Sequence, residues 1–289
     1  MNNPQRRPHA SQVQKGLSPH ARIRNVVAVG SGKGGVGKST TSVNLAVALQ
    51  QLGVRVGLLD ADIYGPSVPA MMGLSGRPES PDNKSIEPPR AFGVDTMSIG
   101  YLIEDETPMI WRGPMATSAM TQFFNDTLWD DLDVLLIDLP PGTGDIQLTL
   151  TQKIPLAGAV IVTTPQDIAL IDARKGVIMF EKVGVPLLGV VENMAVHVCS
   201  NCGHAEHIFG EGGGRRIAAE HGMDYLGALP LAMSIRQQAD GGTPTVAAEP
   251  GGANAALYKD IARKVAVAVA GKGKDFSARF PTITVSRDT

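Results

Sequence analysis

The stretch Gly30-Ser-Gly-Lys-Gly-Gly-Val-Gly-Lys-Ser-Thr40 limits what this chain can become more than any other. Gly32, Gly37, Lys38 and Ser39 stand where the pattern G-x-x-x-x-G-K-[ST] requires them. Just before it, Val26-Val-Ala-Val29 is β-branched and apolar, the signature of a short buried strand. Just after it, apolar residues recur at Val43, Ala46, Val47, Leu49 and Leu52 at helical spacing, and Gly53 suits a left-handed stop. Strand, glycine turn and helix N-terminus form an anion cradle, because backbone N–H groups face inward and the helix dipole adds partial positive charge. Gly32, Lys33, Gly34, Gly35, Val36, Gly37, Lys38, Ser39 and Thr40 are therefore expected to wrap the phosphates of ATP. Lys38 is expected to reach the β- and γ-phosphates, and the Ser39 hydroxyl to hold Mg²⁺.

Lys33 fills a position that the pattern leaves free. The loop wraps its own nucleotide from the other side, so this lysine cannot easily fold back onto it. The run Lys33-Gly-Gly-Val-Gly-Lys-Ser39 resembles the deviant phosphate loop of the ATPase class that includes MinD, ParA and the nitrogenase iron protein. The resemblance implies a homodimer closed around two nucleotides. In it Lys33 would touch the partner's phosphates and neutralise charge that builds during phosphoryl transfer.

A chain of 289 residues holds one large α/β domain or two small ones. Its apolar share of 43% and charged share of 19% are ordinary for a globular protein. A net charge of −2 gives no push toward nucleic acid or an anionic membrane. No apolar run approaches the eighteen or so residues that a membrane span needs. Residues 1–22 are polar, carry Pro4, Pro8 and Pro19 and lack the apolar core of an export signal, so they are expected to be disordered. With only two cysteines, a cytoplasmic protein is expected.

From residue 23 to 270 the pattern alternates between two periods. Strands are expected at 25–30, 55–60, 95–100, 134–138, 158–164, 186–191 and 225–229. Helices are expected at 38–52, 114–124, 144–154, 166–183, 213–221, 232–239 and 251–269. Near-continuous apolar strands between helices imply one P-loop NTPase domain of α/β class: a mostly parallel sheet covered by helices on both faces. Ligands then sit at the carboxyl ends of the strands. Residues 73–89 read as an inserted loop, and 271–289 as a weakly ordered tail.

Two strand ends carry the acids that ATP hydrolysis needs. Val134-Leu-Leu-Ile-Asp138 is four apolar residues ending in a carboxylate, the arrangement that delivers an acid to the Mg²⁺ shell. The turn Pro140-Pro-Gly-Thr-Gly-Asp145 follows, suited to sensing the γ-phosphate through backbone N–H groups, with Asp145 as the expected cap of the next helix. Val56-Gly-Leu-Leu-Asp-Ala-Asp62 ends in two acids on one side of the chain, with Pro66 expected to start a helix. The ATPase resemblance implies that Asp62 orients the attacking water and that Asp60 supports it or the metal's water shell; capping a helix is the other reading of Asp60. It also implies that Asn193, at the end of another strand, reads the adenine edge, with Pro230 as a wall of the base pocket; a turn asparagine fits the spacing of Asn193 equally.

The only cysteines, Cys199 and Cys202, lie three positions apart in Val198-Cys-Ser-Asn-Cys-Gly-His204. Three chemistries compete. A redox dithiol normally starts a helix, whereas here Gly203 and a histidine-bearing loop follow. A zinc site needs four ligands, and drawing them from Cys199, Cys202, His204 and His207 would strain so short a loop. Those histidines read equally well as polar surface. A [4Fe-4S] cluster wants four thiolates, and two chains supply them. The dimer implied by Lys33 and the pair of cysteines thus ask for one two-fold assembly.

Trp111-Arg-Gly-Pro-Met115, Ile137-Asp-Leu-Pro-Pro-Gly-Thr-Gly-Asp145, Thr164-Pro-Gln-Asp167, Val191-Glu-Asn-Met194 and the cysteine pair together resemble the Mrp/ApbC-type iron–sulfur cluster carriers over residues 23–270. Arg112 is given no chemistry of its own. The resemblance implies an ATPase that binds a labile cluster between subunits, takes it from an assembly scaffold and hands it to apo-proteins. It implies also that hydrolysis relaxes the turns after Asp60 and Asp138 and so changes the grip on the cluster. Many such carriers have a small domain or extra cysteines before the phosphate loop, where this chain has about twenty-two polar residues. Two rivals remain at this point. A MinD/ParA-like positioning ATPase would need a membrane helix or basic DNA face that residues 276–289 do not resemble. A non-catalytic zinc or other metal scaffold would use nucleotide only structurally.

Overall fold

Apolar runs of four to six residues alternate with helices, and the computed structural model, which describes Gln14, residues 17–103 and residues 113–271, layers them around one sheet. In chain order the elements are β1 (Val26–Gly30), α1 (Lys38–Gln51), β2 (Val56–Asp60), α2 (Val68–Met71), β3 (Arg90–Ala91), β4 (Val94–Ser98), a 3₁₀ turn (Ile99–Tyr101), α3 (Gly113–Asp126), β5 (Val134–Asp138) and α4 (Asp145–Lys153). They continue as β6 (Gly158–Thr163), α5 (Asp167–Lys182), β7 (Leu187–Glu192), β8 (His197–Val198), β9 (Ala205–Glu206), α6 (Gly213–Glu220), β10 (Tyr225–Ala228), α7 (Met233–Asp240), α8 (Thr245–Ala248) and α9 (Ala253–Gly271).

Eight strands form one sheet in the order β10-β7-β6-β1-β5-β2-β4-β3. Every neighbouring pair is parallel except β3 with β4. The strands are buried on both faces because successive side chains feed opposite cores. Val27 and Val29 of β1 pack with α1, α7, α8 and α9; Val26 and Ala28 pack with α3, α4, α5 and α6. Strand β5 divides the same way, Leu136 to the first core and Leu135 and Ile137 to the second. Helix α1 ends as expected at Gly53, whose φ of 85° lets Val54 N–H close back on the Leu49 carbonyl.

Each of the seven expected strands and seven expected helices has its counterpart, shifted by one or two residues at some ends. Six further elements of two to four residues, α2, β3, the 3₁₀ turn, β8, β9 and α8, join them. No strand or helix lies in 73–89. The Gln14 side chain donates to the Thr151 carbonyl and accepts from Leu156 N–H, and Ile23 bridges Leu132 in a parallel pair. Trp111, Arg112 and residues 272–289 lie outside the described residues.

Candidate nucleotide site and cysteine hairpin

Strands β1 and β5 are neighbours in the middle of the sheet, so the glycine loop after Gly30 and the carboxylate of Asp138 open on the same edge. Helix α1 begins at Lys38 behind the left-handed Gly37, and no side chain caps it. Its first-turn N–H groups therefore lack a side-chain cap, an arrangement suited to receiving an anion. A pocket opens over this loop, bounded by Lys33, Lys38, Ser39, Thr40, Asp62 and Pro141. Gly34, Gly35 and Gly37 line it as well, while Gly32 and Val36 support it from behind.

Two glycines in the loop answer to packing as well as to phosphate. A Cβ on Gly32 would stand 2.0 Å from the Asp172 carbonyl carbon of α5, so the loop rests directly on helix backbone. A Cβ on Gly37 would stand 2.1 Å from Asn193 Nδ2. That Nδ2 donates to the Val36 carbonyl at 2.8 Å, and Asn193 is buried. Asn193 thus lies under the phosphate loop, held also by its own N–H to Thr163 at the end of β6. Pro230 continues the chain just past β10, near the same strand end.

Asp138 is fully buried and collects three donors. Lys38 Nζ lies 2.8 Å from Oδ2, Ser39 Oγ donates to Oδ2 at 2.5 Å, and Ser42 Oγ donates to Oδ1 at 2.6 Å. Ser42 escaped the motif reading. It stands three residues beyond Ser39, hence on the same face of α1, and that spacing is the signal that could have found it. Ser39 and Asp138 offer hard oxygen donors side by side, the donor type that suits Mg²⁺.

Asp60 pairs with Asp138 in the β2–β5 register, which sets two carboxylates on adjacent strand ends. Burial, and after it the neighbouring Asp138, pushes Asp60 up to about 7 against the pull of Val68 and Asp62 N–H groups. Oδ2 accepts from Ser67 N–H, Val68 N–H and Ser98 Oγ, and Oδ1 from Asp62 N–H. Asp60 therefore caps the short α2. The helix starts at Val68, with Ser67 in the cap position and Pro69 in its first turn, rather than at the expected Pro66. Asp145 is likewise corrected: Gly144 takes the cap position and Asp145 is the first residue of α4. Asp62 is half-buried on the pocket wall, and burial raises its carboxyl above the ordinary value, opposed by Lys38. Lys33 makes no ion pair among the described residues.

The Asp60 shift has a measurable sign. Between its ordinary 3.8 and about 7, the folded carboxyl keeps a proton that the unfolded one has lost. The unfolded state binds fewer protons in that window, so stability falls as pH rises through it. In ligand-free protein the melting temperature of wild type is expected to fall from pH 5 to pH 8 more steeply than that of Asp60→Asn. Parallel curves would exclude the shift.

The cysteines sit at the tip of a separate hairpin, β8–β9, which follows β7. Cys199 N–H donates to the His204 carbonyl and Gly203 N–H, at φ 72°, returns to the Cys199 carbonyl. The backbone amides of Cys202 and Asn201, with the Cys202 thiol, hold the Cys199 thiol below its ordinary range. Cys199 is half-exposed and Cys202 exposed. No helix starts at the pair, which removes the usual setting of a redox dithiol. No group of three or more His, Cys, Asp or Glu side chains converges on a metal position among the described residues. His207 Nδ1 lies 2.7 Å from the Ala195 carbonyl, and His197 Nδ1 lies 3.1 Å from that of Leu231.

A glycine loop between β1 and α1, a buried lysine and a buried strand-end aspartate at the carboxyl edge of a parallel sheet define a P-loop nucleoside triphosphatase. Comparison with known proteins places it more finely. The chain belongs to the ParA family of NUBPL iron-transfer P-loop NTPases, whose model matches residues 22–266. It is 60% identical over 257 residues to the iron–sulfur cluster carrier protein of Pseudomonas fragi, covering 88% of this chain and 89% of that one. It is 51% identical over 249 residues to the iron–sulfur cluster transfer protein NUBPL of Mus musculus, covering 86% and 78%. Among solved structures it resembles a nucleotide-binding protein of Archaeoglobus fulgidus in complex with ADP, at 37% identity and TM-score 0.67, over 78% of this chain and 89% of that one. MinD of Pyrococcus horikoshii complexed with Mg-ADP shares the fold, at 22% identity and TM-score 0.63, over 86% and 99%.

Proposed function

We propose that this chain is a cytoplasmic ATP-hydrolysing carrier that holds a [4Fe-4S] cluster between two copies of itself. It takes the cluster from an assembly scaffold and releases it to apo-proteins. The observation that carries the reading is the exposed Cys199–Cys202 tip on the same sheet edge as the phosphate loop, with two thiols and, among the described residues, no third ligand gathered around them. A cubane wants four thiolates, so a second copy completes it. The relatives named as cluster carrier and transfer proteins support the cargo. Exposed Met115, Ile168, Ile171, Val198, Ile208 and Met233 all belong to segments that follow strand carboxyl ends, and such an apolar edge suits self-association.

In this reading Lys38 binds the β- and γ-phosphates, Asp62 orients the water, and Lys33 of one copy neutralises charge at the other copy's nucleotide. Ser39, with Asp138 behind it, would hold Mg²⁺, which supplies charge neutralisation at the phosphates. Asn193 keeps its Oδ1 for the adenine amino group while its Nδ2 serves the loop.

Anaerobic reconstitution with iron and sulfide tests the cargo. Wild type is expected to gain visible charge-transfer absorption with about four iron atoms per two chains. Cys202→Ala is expected to gain none. One cluster per chain, or unchanged loading of Cys202→Ala, would exclude shared ligation.

A further inference from the structure

Three consecutive residues at the end of β7 tie three parts of the molecule together. Glu192 is buried and its carboxylate accepts from Gly214 N–H in the first turn of α6. Asn193 donates to the Val36 carbonyl of the phosphate loop. Met194 holds a φ of 55°, a left-handed conformation that a residue with an unbranched apolar side chain adopts only when its surroundings impose it. Its Cε lies 3.7 Å from where a Gly37 Cβ would be. The next residues root the cysteine hairpin: Ala195 N–H donates to the Leu229 carbonyl, Leu231 N–H to that of Val196, and the His207 ring meets the Ala195 carbonyl.

The turns after Asp60 and Asp138 follow β2 and β5, on the far side of β1 from β7 and the hairpin. Those turns therefore reach the cysteines only across β1 and β6. The Val36–Asn193 hydrogen bond is direct, and four residues separate Asn193 from Val198 at the base of the tip. From this we infer that Asn193 and the strained Met194 are the joint through which nucleotide at the phosphate loop sets the geometry of the Cys199–Cys202 tip. Phosphate in the loop fixes the Val36 peptide, the Asn193 amide follows it, and the left-handed turn at Met194 passes the displacement into the hairpin root. Asn193 and Met194 act here as positioning residues. The inference rests on the loop being a nucleotide site.

The chain contains two cysteines, so thiol labelling reads this hairpin alone. Reduced, metal-free full-length protein is labelled with iodoacetamide with and without saturating ADP, whose binding is followed by calorimetry. In wild type, ADP is expected to slow labelling at least about fivefold, the low end of site–site coupling. Asn193→Ala and Met194→Gly are expected to bring the ratio below about twofold while ADP is bound. Asn193→Ala needs more ADP to saturate. Met194→Gly removes the cost of the left-handed turn and so keeps the fold; it decides the matter if Asn193→Ala fails to bind. A full ratio in folded Met194→Gly, or a wild-type ratio of one with ADP bound, overturns the joint. So does protection that grows with protein concentration, since subunit closure would then cause it. Wild type that binds no ADP overturns the nucleotide reading itself.

Discussion

Lys38→Ala is expected to lose measurable ATP hydrolysis and, without any ligand, about 3 kcal/mol of stability. The second loss is the less obvious one. In the ligand-free fold the Lys38 side chain is 6% exposed, and its ammonium pairs with the carboxylate of Asp138, whose side chain is 0% exposed. Removing one member of a buried pair leaves the other charged and unsolvated, which is why the cost exceeds that of any surface ion pair. Ser39 and Ser42 still donate to Asp138 and keep the figure at the low end. A second substitution separates the two effects. Lys38→Ala with Asp138→Asn removes the orphaned charge, so urea titration is expected to recover most of the stability while hydrolysis stays absent. If Lys38→Ala alone unfolds at the wild-type urea concentration, the ion pair does not exist in solution.

The same pair shows how much was legible before the fold was known. Lys38, Ser39 and Asp138 were found because each lies at a fixed offset inside a motif whose strand and helix flanks are local. The sheet followed from period alone, since strands buried on both faces have no polar alternation to hide them. What stayed hidden depends on contacts across long stretches of chain. Gly32 fits the motif, but its tightest neighbour is the Asp172 backbone on α5. Asn193 reads in the sequence as a base reader or a turn residue. Its place beneath Val36 exists only because β7 and β1 flank β6. Glu192 could not be distinguished from any strand-end acid until α6 packed its N-terminus above it. The missed elements α2, β3, the 3₁₀ turn, β8, β9 and α8 have two to four residues, too few to show a period. Asp145 was misplaced by one position because Gly144 can take an extended cap conformation without offering a side chain.

Mixing two inactive proteins is expected to restore activity, and this outcome decides whether Lys33 acts across the dimer. Lys33 lines the pocket without an ion pair among the described residues, and Asp62 stands on the wall of the same pocket. Lys33→Ala should slow hydrolysis about a thousandfold or more, as loss of a charge-neutralising finger does, and Asp62→Asn by about a hundredfold or more. In a mixed dimer the Lys33→Ala copy keeps its own Asp62 and receives the intact Lys33 of its partner, so one of its two sites is complete. Random pairing makes half the dimers mixed, and a one-to-one mixture should therefore show about one quarter of wild-type steady-state activity. A lysine serving its own nucleotide gives a different result. Every site in the mixed dimer would then lack either Lys33 or Asp62, and the mixture would stay as slow as its components. Dilution sharpens the contrast, because recovery through a shared interface must fall as the dimers dissociate, whereas a contaminating ATPase would lose none of its specific activity.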